Sequence, residues 1–175
     1  MEQGQAIELV CRRHPHILVI LRTGGGKSAV YQAPSFAKES GFHVVIIPYI
    51  ALMDQALSDA SVKGIPHCAL SPSTLDVDIF QAKLIFVAIE YIPMERFHEW
   101  LSICFRARYL NGIVIDEAHE ILLSQDYRNS FYELDYLGDI GCQIILLSAT
   151  ISPSIEPALW KVRIHLFYKT SDSSG

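Results

Sequence analysis

Two short stretches carry residue types that together handle a nucleoside triphosphate. The first is Thr23-Gly24-Gly25-Gly26-Lys27-Ser28. A triphosphate is a polyanion, so its site needs inward-turned backbone N–H groups, a fixed cation and a hydroxyl able to hold magnesium. Gly24, Gly25 and Gly26 let the chain approach phosphate oxygens closely, Lys27 would meet the β- and γ-phosphates, and Ser28 would ligate the metal. A helix opening at this serine also points the positive end of its dipole at the same charge. The second stretch is Asp116-Glu117 at the end of the apolar run NGIVI. Neighbouring side chains at a strand end point in different directions, so the two carboxylates can divide the work. Asp116 would hold magnesium and Glu117 would orient and deprotonate an attacking water. The plainer alternatives are a glycine-rich turn with an incidental lysine and an acidic helix cap. Against them stands the pairing of the two stretches, each placed where an apolar strand runs out.

The elements that must position these residues alternate along the chain. Residues 2–13 place Ala6, Ile7, Val10 and Cys11 at helical spacing, and the apolar run ILVIL from Ile17 reads as the first strand. KSAVYQAPSFAKES reads as the helix leaving the loop, GFHVVIIP as a buried strand, and YIALMDQALSDASVKG as a helix. IPHCALS and KLIFVAIE follow as strands, then a helix with Pro93 in its first turn and Phe97, Leu101, Cys104 and Phe105 on one face. NGIVID reads as a strand entered from an Asn-Gly turn, a helix is expected around Asn129 to Leu137, and CQIILLSAT reads as the last strand. Such alternation predicts an α/β fold, a single domain with a parallel sheet flanked by helices on both faces. Ligands of such sheets sit beyond the carboxyl ends of the strands, and TGGGKS, PYIALMDQ, AIEY, DEAH and SAT all fall there.

Composition sets bounds on this reading. The chain has 175 residues, half of them hydrophobic, which suits one core and leaves little room for two. A net charge of −5 supplies no global basic field for nucleic acid, so any such binding must be local. Cys11, Cys68, Cys104 and Cys142 form no C-x-x-C pair and are expected to be reduced core residues, with neither zinc nor a disulfide framework. No signal-peptide pattern and no apolar run of membrane-spanning length is present, so an intracellular chain without a membrane partner is expected.

TGGGKS, VIIPYIALMDQ, IDEAH and LLSAT, in this order and spacing, resemble motifs I, Ia, II and III of superfamily 2 helicases, and within them the RecQ-like group. The similarity runs from about Gln3 to Leu159. It implies a RecA-like first motor domain of the P-loop NTPase class over residues 1–168, followed by a flexible tail or truncated linker at 169–175. It implies ATP with magnesium as cofactor, DNA as partner, expected single-stranded, and a nuclear location. By the same resemblance Gln3 reads the adenine edge, with Gln5 as the alternative, and Thr23 through Ser28 form the phosphate loop. Pro48, Tyr49 and Glu90 then fall where the family meets the nucleic-acid strand, and His119 links the ATP site to Ser148 and Thr150, which couple hydrolysis to domain movement.

The sequence also departs from the family. Leu21 replaces the first glycine of the strict phosphate-loop pattern, Arg22 stands where the family has proline, and Ala88 where it has Ser or Thr. Asp126, Tyr127 and Arg128 keep an acidic-aromatic-arginine triplet without the tryptophan of bacterial RecQ proteins. The chain ends soon after SAT, so a second RecA-like domain with its arginine finger is expected in cis or in trans. Alone, the chain is expected to bind ATP and hydrolyse it slowly. The rival readings are a catalytically weak nucleotide-binding fragment or interaction module, and an RNA-directed DEAH-type lobe.

Overall fold

The computed structural model describes residues 2–36, 40–71, 81–123 and 136–150. The boundary at 168, the tail, most of the helix expected from Asn129, and the Asp126-Tyr127-Arg128 triplet lie outside them. Within the described residues the chain runs α1 (Glu2–Cys11), β1 (His16–Ile20), α2 (Lys27–Gln32), β2 (Phe42–Ile47), α3 (Ile50–Val62), β3 (His67–Leu70), β4 (Leu84–Ala88), α4 (Glu95–Arg106), β5 (Leu110–Ile115), α5 (Ala118–Leu123) and β6 (Gln143–Ser148). The strands form one six-stranded sheet in the order β1-β6-β5-β2-β4-β3, and every pairing is parallel. The alternation of the sequence thus becomes the expected α/β architecture.

Both faces of the sheet are covered, which is why β2, β4 and β6 are buried at every position. On one face Ala6 and Val10 of α1, Val30 and Tyr31 of α2, and Met53 and Ala60 of α3 pack on Val19, Val45, Phe86, Val114 and Ile145. On the other, Phe97, Leu101 and Cys104 of α4 and Ala118 of α5 pack on Val44, Ile46, Ile85, Ile113 and Ile144. Alternate residues along each strand supply the two cores, following the twofold period of the pleat.

Several local expectations are corrected. The helix after the phosphate loop is α-helical only to Gln32 and continues as a 3₁₀ turn over Ala33–Phe36. Pro34 has no N–H to donate to the carbonyl four residues before it, so the α-helical ladder stops there. Pro93 is not in the first turn of α4; it precedes the N-cap Met94. Asn111-Gly112 is not a turn but lies inside β5, where the register against β2 passes from Phe42↔Leu110 to His43↔Gly112. Asn111 is the extra residue of this bulge, and its side chain is turned to use: Arg13 donates to its Oδ1 at 3.1 Å, and its Nδ2 donates to Ser40 O at 3.1 Å. Cys11 is exposed and Cys68 half-buried, while Cys104 and Cys142 are core residues whose thiols burial pushes up to about 11 and about 12. No disulfide joins these four described cysteines, and no helix of the described residues is long and apolar enough to cross a membrane.

The packing of α4 on the sheet is testable by contrast between its two faces. Leu101→Ala, at a fully buried position, is expected to lower stability by about 2–5 kcal/mol in urea unfolding. Ile103→Ala, at a position 65% exposed, is expected to change it by no more than about 0.5 kcal/mol.

Candidate functional site

Because every strand is parallel, the stretches that follow β1, β2, β4, β5 and β6 emerge at one end of the sheet. Along that end they lie in spatial order: the glycine loop, Ser148 to Thr150, the Asp116-Glu117 turn, Pro48-Tyr49 and Glu90. β1 and β6 stay paired one residue past the strand, since Leu21 N donates to Ser148 O at 3.0 Å. On the far side Asp116 N donates to Ile46 O at 3.0 Å, which ties the DEAH turn to β2.

The loop conformation explains its glycines. Gly24 and Gly26 sit in the left-handed region at φ 79 and 77, and a Cβ on Gly25 would lie 2.8 Å from Arg22 O. Gly26 is the N-cap of α2, so Lys27 and Ser28 are its first two residues. Gln3 reaches across from α1 and donates from Nε2 to Gly26 O at 2.8 Å. Gln5 is exposed on the same helix, so of the two glutamines it is Gln3 that stands at the loop. Thr23 is exposed at the loop's entry and Ser28 is half-buried.

Lys27 and Glu117, far apart in the chain, converge. Lys27 Nζ lies 2.6 Å from Glu117 Oε1, with side chains only 10% and 25% exposed. The contact is an ion pair by distance, yet Nζ and Glu117 Oε2 are both buried without a well-aligned hydrogen-bond partner. Their hydrogen-bonding capacity is therefore open to a ligand. Glu117 holds φ at 45, left-handed for a non-glycine residue, and its N–H donates to Asp116 Oδ1 at 2.9 Å. Burial pushes the Asp116 carboxyl up to about 6; the hydrogen bond from Glu117 N–H opposes this, the Glu117 charge adds to it, and Lys27 and His119 oppose it. The Tyr31 hydroxyl on α2 is also raised, by burial first and then by the negative charges of Asp116 and Asp59.

His119 lies beside this pair. Its Nδ1 is 3.1 Å from Ser148 Oγ and 3.4 Å from Glu117 Oε2. Ser148 Oγ donates to Thr150 O at 2.5 Å. The expected polar cluster of His119, Ser148 and Thr150 thus assembles, with Thr150 taking part through its backbone carbonyl. Pro48 is buried, while Tyr49 and Glu90 are exposed farther along the same edge. One participant, Glu120, escaped the sequence reading: it touches His119 Nε2 at 3.4 Å and accepts a hydrogen bond from the Tyr49 hydroxyl at 2.9 Å. Its position in the first turn after DEAH was the available signal.

Whether the site suits magnesium follows from its donors. Ser28 and Asp116 offer one hydroxyl and one carboxylate, and no cluster of three or more His, Cys, Asp or Glu able to hold a metal occurs among the described residues. Magnesium takes oxygen ligands, commonly one or two from protein with the rest from phosphate and water. A carboxyl whose ionised form is under-compensated by burial fits that role, so the residues present fit the ion.

The DEAD/DEAH box helicase family matches residues 1–158. The ATP-dependent DNA helicase RecQ of Bacillus subtilis is 31% identical over 94% of this chain and 29% of its own length. ATP-dependent DNA helicase Q1 of mouse is 33% identical over 59% of this chain and 18% of its own. ATP-dependent helicase wrn-1 of Caenorhabditis elegans is 26% identical over 79% and 14%. The chain therefore spans less than a third of these curated relatives. Among solved structures, the helicase Lhr of Mycobacterium smegmatis bound to ssDNA and AMP-PNP superposes with a TM-score of 0.66 at 17% identity, over 90% of this chain and 24% of that one. The SWI2/SNF2 ATPase core of Sulfolobus solfataricus with dsDNA superposes with a TM-score of 0.63 at 15% identity, over 91% and 33%. Those two likenesses establish the fold as that of a RecA-like ATPase core. From the family match and the shared architecture together, this chain belongs to the DEAD/DEAH box helicases, with curated relatives of the RecQ type.

Proposed function

We propose that the chain is the ATP-binding lobe of a RecQ-type, ATP-dependent DNA helicase, hydrolysing ATP in concert with single-stranded DNA and a second RecA-like domain. The observation that carries this reading is the meeting of Lys27 and Glu117 at 2.6 Å. A phosphate-binding cation and a candidate general base neutralise each other at the place where a γ-phosphoryl group would sit between them.

In this reading the loop N–H groups and Lys27 bind the β- and γ-phosphates, and Gln3 faces the adenine once released from Gly26. Arrival of the triphosphate gives Lys27 a stronger anionic partner and releases the Glu117 carboxylate. Glu117 then orients a water in line with the β–γ bridge. The water oxygen bonds to the γ-phosphorus, the bridging P–O bond breaks, and the proton passes to Glu117. Ser28 and Asp116 would hold magnesium, which when bound neutralises charge on the β- and γ-phosphates. Pro48, Tyr49 and Glu90 provide the nucleic-acid edge on one side of the base, and Ser148 and Thr150 flank it on the other, with His119 touching both Glu117 and Ser148.

The roles separate experimentally. Lys27→Ala is expected to weaken binding of a fluorescent ATP analogue by about tenfold or more, the loss of a charge-assisted hydrogen bond. Glu117→Gln is expected to retain binding while single-turnover hydrolysis falls by about a hundredfold or more. Oligo-dT is expected to stimulate the parent and to outcompete the matching RNA. Equal hydrolysis in the parent and Glu117→Gln would refute the assignment.

Asp116 yields a further test, because a metal ligand kept buried costs stability when no metal is bound. Its folded-state carboxyl lies at about 6, against 3.8 for the free group. The folded state therefore favours the protonated form: the penalty is absent below pH 3.8, grows as pH rises through about 6 and is complete above it. In chelator-containing buffer at pH 7.5, Asp116→Asn is expected to raise unfolding stability by roughly 1–3 kcal/mol, with the gain vanishing near pH 4. Magnesium-dependent nucleotide binding should fall in the same variant.

A further inference from the structure

Tyr49 and Glu120 join the nucleic-acid edge to the hydrolytic pair through side chains alone. Tyr49 is the N-cap residue of α3, extended at φ −132 and ψ 134, and its side chain does not cap that helix. It is 40% exposed, and its hydroxyl donates to Glu120 Oε2 at 2.9 Å. The other oxygen of Glu120 lies 3.4 Å from His119 Nε2. On the far side of the ring, Nδ1 is 3.1 Å from Ser148 Oγ and 3.4 Å from Glu117 Oε2. Glu117 Oε1 then reaches Lys27 Nζ at 2.6 Å.

Donor bookkeeping gives this series a direction. A serine hydroxyl has one proton, and that of Ser148 is used on Thr150 O. Ser148 Oγ must then accept from His119, so the Nδ1 nitrogen carries a proton and Nε2 is the one turned to Glu120. The orientation of the Glu120 carboxylate, fixed at its other oxygen by Tyr49, bears directly on how the imidazole sits. The imidazole in turn borders the carboxylate that holds Lys27.

We propose that Tyr49 is a positioning residue for Glu117, acting through Glu120 and His119, so that a DNA strand engaging the Tyr49 hydroxyl changes the hold of Glu117 on Lys27. The proposal rests on the reading of this edge as a nucleic-acid surface beside an ATP site. A strand phosphate is an acceptor, and it competes with Glu120 for the single proton of the tyrosine. The freed Glu120 then turns toward solvent or closes further on His119, and either movement reaches the base.

The test uses the full chain with ¹⁵N-labelled histidine, the His119 ring signals being identified by their loss in His119→Asn. Tyr49→Phe and Glu120→Gln are each expected to shift those signals, and the double variant should match Glu120→Gln alone, as a series arrangement requires. In the parent, oligo-dT is expected to change affinity for a fluorescent ATP analogue about fivefold or more. In Tyr49→Phe that coupling should fall below about twofold, with affinity in the absence of DNA moved toward the value the parent shows with DNA, since the substitution frees Glu120 as the strand does. Unmoved His119 signals, additive shifts, full coupling in Tyr49→Phe or no coupling in the parent would each overturn the proposal. A parent that fails to bind the analogue while His119 still answers to Tyr49 would refute the ATP reading and support the linkage. Because the two substitutions approach the same bond from opposite ends, misfolding of one variant leaves the other to decide.

Discussion

A lysine and a glutamate drawn together at the end of a parallel sheet, both largely out of water, are the contact on which the site depends. Burying two charges costs several kcal/mol of desolvation per ion, and their attraction offsets this only when geometry and further hydrogen bonds are good. Here the distance is short, yet Lys27 Nζ and Glu117 Oε2 lack aligned hydrogen bonds. The pair is therefore a poor device for stability.

The sheet order is what allows that proximity. β1 and β5 carry the lysine loop and the acidic turn, and neither is adjacent to the other; β6 lies between them. The chain leaves β1 and returns to the sheet at β2, beyond both β6 and β5, and such a reversal of strand order is where ligands of parallel sheets bind. Ser148, at the end of the intervening strand, is thereby delivered to the side of His119. Insertion of the last described strand between the first and the fifth thus brings a third element into a site that two motifs begin. The same parallelism puts Tyr49 on β2's exit, next to the acidic turn, so communication across the edge needs only side-chain reach.

Much of this was legible in the sequence because it depends on local pattern. The apolar runs named all six strands of the described sheet, and the glycine loop, DEAH and SAT fell at strand exits as the parallel arrangement requires. What was not legible depended on neighbours. Asn111-Gly112 has turn chemistry, but a bulge against β2 places it within a strand, where Gly112 packs under Gln143 and His43. Cys11 continues the apolar period of α1 but is exposed at its last position. Glu120 drew no reading from the sequence, since nothing local shows that Tyr49 of another strand exit meets it. Gln3 was preferred to Gln5 by resemblance alone, and it is Gln3 whose Nε2 reaches Gly26 O.

Two further costs fall on adjacent residues and converge on the same point. Glu117 adopts a left-handed backbone that costs a β-carbon-bearing residue on the order of 1 kcal/mol or more. Asp116 buries a carboxyl whose ionised form is disfavoured there. A glycine at the first position and an asparagine or an apolar residue at the second would relieve both without disturbing the strand that precedes them. A fold with two filled cores can tolerate such costs, but packing alone gives no reason to place them on neighbouring residues facing a lysine. Strain and desolvation concentrated at one turn, beside a glycine loop on the neighbouring exit but one, are what preorganised chemistry at that turn requires. The two acids that bear the strain and the desolvation are the two acids of the DEAH sequence.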